Sequence, residues 1–210
     1  NTIELIDCPD LDVVIEATGV PRAGTNHCRR AIAAGHHVVM VTVEADVVAG
    51  PLLAREAEKA GVVYSLAWGD QPALIAEHVD WARTCGFDVV AAGKGTRYHP
   101  DYHTLTPDTV WDVLQKYLEI TDPDSINLKM FNSFLDGSKS GIEMTAVCNA
   151  TGLIPQRNGL GFPACSRFEL ADTCKPAAVG GTLTRHGTTE VVSSLDRNGD
   201  EVPHHLAMGT

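Results

Sequence analysis

The run Asp12-Val-Val-Ile-Glu-Ala-Thr-Gly19 decides how this chain is read: an apolar stretch that closes on a carboxylate and three small residues. Two later apolar runs also end in small or polar residues, His37-Val-Val-Met-Val-Thr-Val-Glu44 and Val62-Val-Tyr-Ser-Leu-Ala-Trp-Gly69. Helical patterns lie between them, and parallel strands need crossovers of that length. Helices laid across a parallel sheet imply strands buried on both faces. The expected fold class is therefore α/β, a doubly wound parallel sheet with its ligand at the carboxyl ends of the strands. Thr18, Gly19, Thr42, Glu44, Gly69 and Asp70 stand at those ends and are the candidate cofactor-binding residues.

Working outward, Pro21 to Ala34 reads as a helix with proline in its first turn and Gly35 at its end. Gly50 to Ala60 repeats that plan with Pro51 and Gly61, and Gln71 to Cys85 with Pro72 and Gly86. Phe87 to Ala92 then reads as a strand ending in Gly93-Lys-Gly-Thr96. Arg97 to Ile126 is a polar and aromatic excursion punctuated by Pro100, Pro107 and Pro123, with one helix expected from Pro107 to Ile120. Excursions of this length in compact enzymes commonly serve as lids or binding loops. Phe134 to Thr151 is a helix rich in small residues, closed by Gly152. Thr188 to Leu195 reads as a strand, and Asn198-Gly199 after it as a hairpin turn. The division this implies is 1–72 for the C-terminal half of a Rossmann-type sheet, 73–179 for an α+β domain and 180–210 for the start of a β-rich segment.

A complete dinucleotide domain opens with a strand running into Gly-x-Gly-x-x-Gly, whose amides hold the pyrophosphate. No such turn occurs in the 210 residues, and the sheet is entered at what reads as its fourth strand. The expectation is an internal fragment of a longer protein; the other reading is a domain that lacks the first half. The net charge of −11 argues against nucleic acid and anionic membrane as partners, since both call for clustered lysine and arginine. No apolar run approaches the roughly 20 residues of a membrane span. The six cysteines form no Cys-x-x-Cys pair and read as reduced thiols of a cytoplasmic protein.

Hydride transfer to a carbonyl needs an acid or cation for the developing alkoxide, and a phosphate needs fixed positive charge. Lys94, Lys129 and Lys139 are the candidates, each weighed against the commoner role of a lysine on a solvated face. Asp136 and Glu143 on the expected helix can ligate a divalent metal that polarises a hydroxyketone; equally, Glu143 can form an i,i+4 pair with Lys139. Asn132 and Ser133 read either as a cap or as substrate-binding residues beside Lys129. The nine histidines show no ligand spacing and read as surface residues.

The order Glu16-Ala-Thr-Gly, Gly35-His-His-Val-Val, Gly69-Asp-Gln-Pro, Gly93-Lys-Gly-Thr and Lys129-Met-Phe-Asn-Ser-Phe-Leu-Asp-Gly-Ser-Lys-Ser-Gly-Ile-Glu-Met144 resembles the homoserine dehydrogenase-like oxidoreductases. More narrowly it is similar to their deoxyxylulose phosphate reductoisomerase-like branch, which often carries a C-terminal antifreeze-like (SAF) domain. The resemblance implies an N-terminal NAD(P)-binding domain, a catalytic α+β domain, NADPH as reductant with NAD as the alternative, and a phosphorylated keto sugar as substrate. It covers nearly the whole chain, the Lys129 to Met144 run being its most specific part. Two departures stand out. The Thr-Ala-Asn-Lys stretch of homoserine dehydrogenases reads Val41-Thr-Val-Glu-Ala45 here, without the lysine, and the site lysine follows Asp136 by three residues, at Lys139, where the family has four. The expected activity is NAD(P)H-dependent reduction of a small phosphorylated hydroxyketone by a homo-oligomer. The alternatives are a homoserine dehydrogenase-type enzyme and a non-catalytic scaffold or sensor.

Overall fold

The computed structural model describes residues 1–116, 118 and 122–206. They form two compact units, one of residues 1–88 with 142–153 and the other of 89–141 with 154–210. Contact thus groups the helix after Gly69, and most of a helix far along the chain, with the opening sheet, whereas composition alone places a boundary at residue 72.

In the first unit α1 (Thr2–Ile6), β1 (Val13–Glu16), α2 (Pro21–Ala33), β2 (His37–Met40), α3 (Val43–Ala60), β3 (Tyr64–Leu66) and α4 (Gln71–Thr84) follow in order. The strands form a parallel sheet in the order β1-β2-β3, with Val14 opposite Val38 and Val39 opposite Ser65. The core lies on one face, where Val38 and Met40 pack with Cys28, Ala31, Ile32, Ala49 and Leu53 of α2 and α3. The opposite face of β1 is open: Val13 and Ile15 are 47% and 68% exposed. Burial on both faces is therefore corrected, because α2 and α3 both bring their apolar residues to the Val38 and Met40 side.

The strands are also shorter than the apolar runs. Thr42 leaves β2 to become the N-cap of α3, which starts at Val43 and not at Gly50. Pro51 consequently sits inside the helix. Proline has no N–H, so the carbonyl of Val47 loses its usual donor, and the Asn149 side-chain amide donates to that oxygen at 3.3 Å. Gly61, with φ +72, ends the helix in a left-handed cap.

The second unit holds β4 (Ala91–Thr96), α5 (Trp111–Leu114), α6 (Leu128–Leu135), β5 (Ile154–Pro155), α8 (Leu170–Thr173) and β6 (Thr188–Ser193). Between α6 and β5 runs α7 (Ser138–Thr151), whose residues from Ile142 on belong to the first unit. The sheet is parallel in the order β4-β6-β5, and every residue of β6 is buried. The strand expected at 87–92 forms instead over Ala91–Thr96, in residues of low strand propensity. The reason is close backbone approach: a Cβ on Gly93 would lie 1.6 Å from the Glu190 carbonyl oxygen. Among the described residues of the excursion, Trp111–Leu114 is α-helical, flanked by single turns at Pro100–Thr104 and Pro123–Ser125. The helix end expected at Ile120 lies outside the described residues. Val110, Leu114 and Leu135 form the small core there, with Trp111 and Phe131 against it.

Candidate active site

The loop after β1 is built from Glu16. This carboxylate is 2% exposed, and its Oε1 accepts from the Thr18 amide at 3.1 Å. Burial works to raise its pKa, but hydrogen bonding by Thr18 and Thr42 and the charge of His27, 3.9 Å away, outweigh it and hold the group below its ordinary value. Gly24 on α2 leaves the room, since a Cβ there would stand 2.8 Å from Oε2. Next in the turn, the Gly19 amide donates to Thr42 Oγ1 at 3.0 Å, and Gly19 has φ +68. The carboxyl ends of β1 and β2 are thus tied together, and Thr18 and Gly19 are exposed on the tie. Glu44 lies in the first turn of α3. Gly69 has φ +103, and Asp70 caps α4 by accepting from the Gln71 amide at 2.9 Å. Of the six candidate cofactor residues, Thr18, Gly19 and Thr42 share one hydrogen-bonded turn. Its backbone is open, with nothing within 4 Å of a Cβ on Gly19.

The substrate candidates lie in the second unit. The single helix expected from Phe134 to Thr151 is two, α6 and α7, parted at Asp136 and Gly137. Gly137 has φ +84, a conformation that ends α6 and starts α7 at low cost only without a Cβ. Asp136 and Lys139 therefore do not share a helix face: Asp136 is the C-cap of α6, while Lys139 is half-buried in the first turn of α7. Asp136 Oδ1 accepts from the Ser138 amide and Oδ2 from Asn132 Nδ2, each at 2.8 Å. Asn132 lies within α6 and is 6% exposed, so it is no cap; Asn127 is, accepting from the Met130 amide at 3.1 Å. Asn132 Oδ1 is buried with no hydrogen-bond partner among the described residues. Ser133 donates to the Met130 carbonyl at 2.6 Å. Lys129 is exposed in the first turn of α6, and Lys94 lies in β4 opposite Val191. Glu143 is buried in α7 and counts with the first unit, Asp136 with the second. No group of three or more His, Cys, Asp or Glu side chains suited to a metal ion is present among the described residues. Asp136 and Glu143 belong to no such group.

Several neighbours of Asp136 escape a reading of the sequence. His103 Nδ1 donates to the Asp136 carbonyl at 3.1 Å. Tyr98 and Phe162 stack with centroids 4.0 Å apart, and a Cβ on Gly137 would touch the Phe162 ring at 3.1 Å. Burial first, and then the charge of Asp136, push the Tyr98 hydroxyl above its ordinary pKa, so it stays a proton donor. Phe162 takes φ +48, strained for a residue with a side chain. On the central strand Glu190, 4% exposed, accepts from the Gly161 and Val191 amides at 2.8 and 2.9 Å and from Gln156 Nε2. Gln156 Oε1 in turn takes the Thr184 amide at 2.7 Å. This buried network fixes the loop that carries Phe162. The one signal for it in sequence is a single charged residue, Glu190, within a strand that is otherwise uncharged.

No helix among the described residues is long and apolar enough to cross a membrane. Among solved structures the chain is similar to a provisionally assigned homoserine dehydrogenase from Archaeoglobus fulgidus, at 21% identity and a TM-score of 0.46, over 71% of this chain and 47% of that one. It is also similar to the provisionally assigned oxidoreductase YvaA of Bacillus subtilis, at 23% identity and a TM-score of 0.32, over 48% of this chain and 29% of that one. The chain thus spans under half the length of either. No curated protein matches it. Residues 69–210 match the family described as oxidoreductase DRL, catalytic domain, and the chain belongs to that oxidoreductase family.

Proposed function

We propose that the protein is an NAD(P)H-dependent oxidoreductase that reduces a small phosphorylated hydroxyketone in the reductoisomerase-like manner. Membership of an oxidoreductase family supports the reaction class. The observation that carries the reading to a substrate is the hydrogen bond between buried Asn132 and half-buried Asp136 at the α6–α7 break. When bound, the nicotinamide supplies the hydride, and Thr18, Gly19, Thr42, Glu44, Gly69 and Asp70 are the residues assigned to it, with NADPH preferred to NADH. The carbonyl then gains a hydride at carbon and a proton at oxygen. Asp136, fixed from both sides, orients the reacting hydroxyketone, and Lys139 neutralises the developing alkoxide. Asn132 Oδ1 accepts a substrate hydroxyl in place of the partner it lacks. Lys94 and Lys129 supply positive charge for the phosphate, and Ser133 lies beside Lys129's helix turn as a further polar contact. The partner is a small molecule, met by a homo-oligomer in the cytoplasm. No step is routed through a metal.

The test is kinetic. In Asp136→Asn and Lys139→Met, NADPH-dependent turnover should be lost while cofactor affinity stays nearly intact, because both residues act on the transition state. Lys129→Ala should raise KM for the phosphorylated compound by about one to two orders of magnitude, the worth of a charge-assisted phosphate contact. Turnover within about threefold of the parent in both of the first two variants overturns the assignment. Efficient oxidation of homoserine with no activity on sugar phosphates returns the protein to the homoserine dehydrogenase reading.

A further inference from the structure

The first unit contains a cavity of about 370 Å³, bounded by α3, β3, α4 and the end of α7. Asp46 is in its wall, only 4% exposed. Its Oδ1 accepts from the Tyr64 hydroxyl at 2.7 Å, while Oδ2 accepts no hydrogen bond among the described residues. One turn on, Gly50 makes space for that carboxylate: a Cβ there would stand 2.3 Å from Oδ1. Glycine and proline together in mid-helix are costly to an α-helix, and both Gly50 and Pro51 line the cavity. No lysine, arginine or histidine does so among the described residues. A buried carboxylate with no counter-charge is unfavourable, so the group that completes it is a donor or a cation. Trp68 lines the cavity yet is 77% exposed, and its indole N–H is tied to Glu77 at 2.8 Å. That bond holds an aromatic face in place and adds a second negative charge beside it. An aromatic face next to a carboxylate attracts organic cations. Ala54, Ser65, Ala73, Ala76 and Ala150 in the lining are small and leave room for a ring.

We propose that this cavity binds a small cyclic or aromatic amine as its cation, with the ammonium on Asp46 Oδ2 and the ring on the Trp68 indole. The site shares no residue with the proposed reaction and does not depend on it.

Benzylamine is the probe, with benzyl alcohol and benzoate as neutral and anionic matches of its shape, titrated against the protein by NMR of the indole N–H signals. The Trp68 resonance, assigned with Trp68→Phe, should shift saturably with benzylamine. Both controls should bind at least about tenfold more weakly, since a charge-assisted hydrogen bond is roughly twice as strong as a neutral one. Asp46→Asn should erase the preference for benzylamine over benzyl alcohol. Ala54→Leu, on an exposed stretch of the wall, should abolish benzylamine binding by filling the space while circular dichroism stays unchanged. If Asp46→Asn fails to fold, Ala54→Leu decides. Equal affinity for the amine and the alcohol, no saturable shift at millimolar benzylamine, or undiminished binding by Ala54→Leu overturns the proposal.

Discussion

Glu16 and Asp46 are both largely buried carboxylates in the same unit, and their surroundings give them opposite effects on stability. Burial pushes Asp46 up, and the Tyr64 hydrogen bond offsets only part of that. A raised carboxyl favours the folded state at low pH, and the benefit is lost as pH rises through its folded pKa, so at neutral pH Asp46 is a cost. Glu16 is held down, which reverses the sign: its contribution is present above the ordinary carboxylate range and lost as pH falls through the depressed value. Replacing Glu16 by Gln should therefore lower the thermal midpoint most near neutral pH. The gap between variant and parent should shrink below about pH 4, where the parent loses the same contribution. Parallel curves for the two proteins from acid to neutral pH would show that the Glu16 charge does not stabilise the β1 turn.

Among the elements, the α6–α7 break carries the most weight. Gly137 with φ +84 lets the chain turn between the two helices, and its missing Cβ lets the Phe162 ring lie close. Gly137→Ala should cost about 1 kcal/mol or more from backbone strain and contact with the ring. The loss is read as a lower denaturation midpoint, with Tyr98 fluorescence reporting any shift of the stacked pair. A variant as stable as the parent would mean that the break tolerates a side chain. Elements punctuated by proline and glycine were legible in the sequence: α2 between Pro21 and Gly35, and α4 between Pro72 and Gly86. The same signals misled at α3, where proline marks the middle of the helix because a distant side chain replaces its missing donor. They misled again at β4, whose glycines are demanded by a neighbouring backbone and not by a turn. The Lys129 to Met144 run stood out in the sequence as the candidate site. Its neighbours Tyr98, His103 and Phe162 did not, since pairing across tens of residues leaves no periodic trace in one chain.

At the scale of the whole molecule the first unit is discontinuous: 1–88 is completed by 142–153, with an inserted stretch belonging to the other unit. Arg83 of α4 donates to the Thr151 carbonyl at 2.6 Å, closing the last turn of α7 onto the opening segment. Asn149→Ala should lower stability by about 1 kcal/mol or less, the net worth of one hydrogen bond. The more specific expectation is faster amide hydrogen exchange around Pro51, confined to α3; unchanged exchange there would mean that the Val47 carbonyl finds another donor. The bond from Asn149 to Val47 spans 102 residues. A ribosome making this chain at about 5–20 residues per second releases α3 several seconds before the amide that finishes it. Loops of this span also form slowly during folding. The opening segment of the first unit is therefore finished late, and the time it spends incomplete is set by the length of the insert rather than by its own sequence.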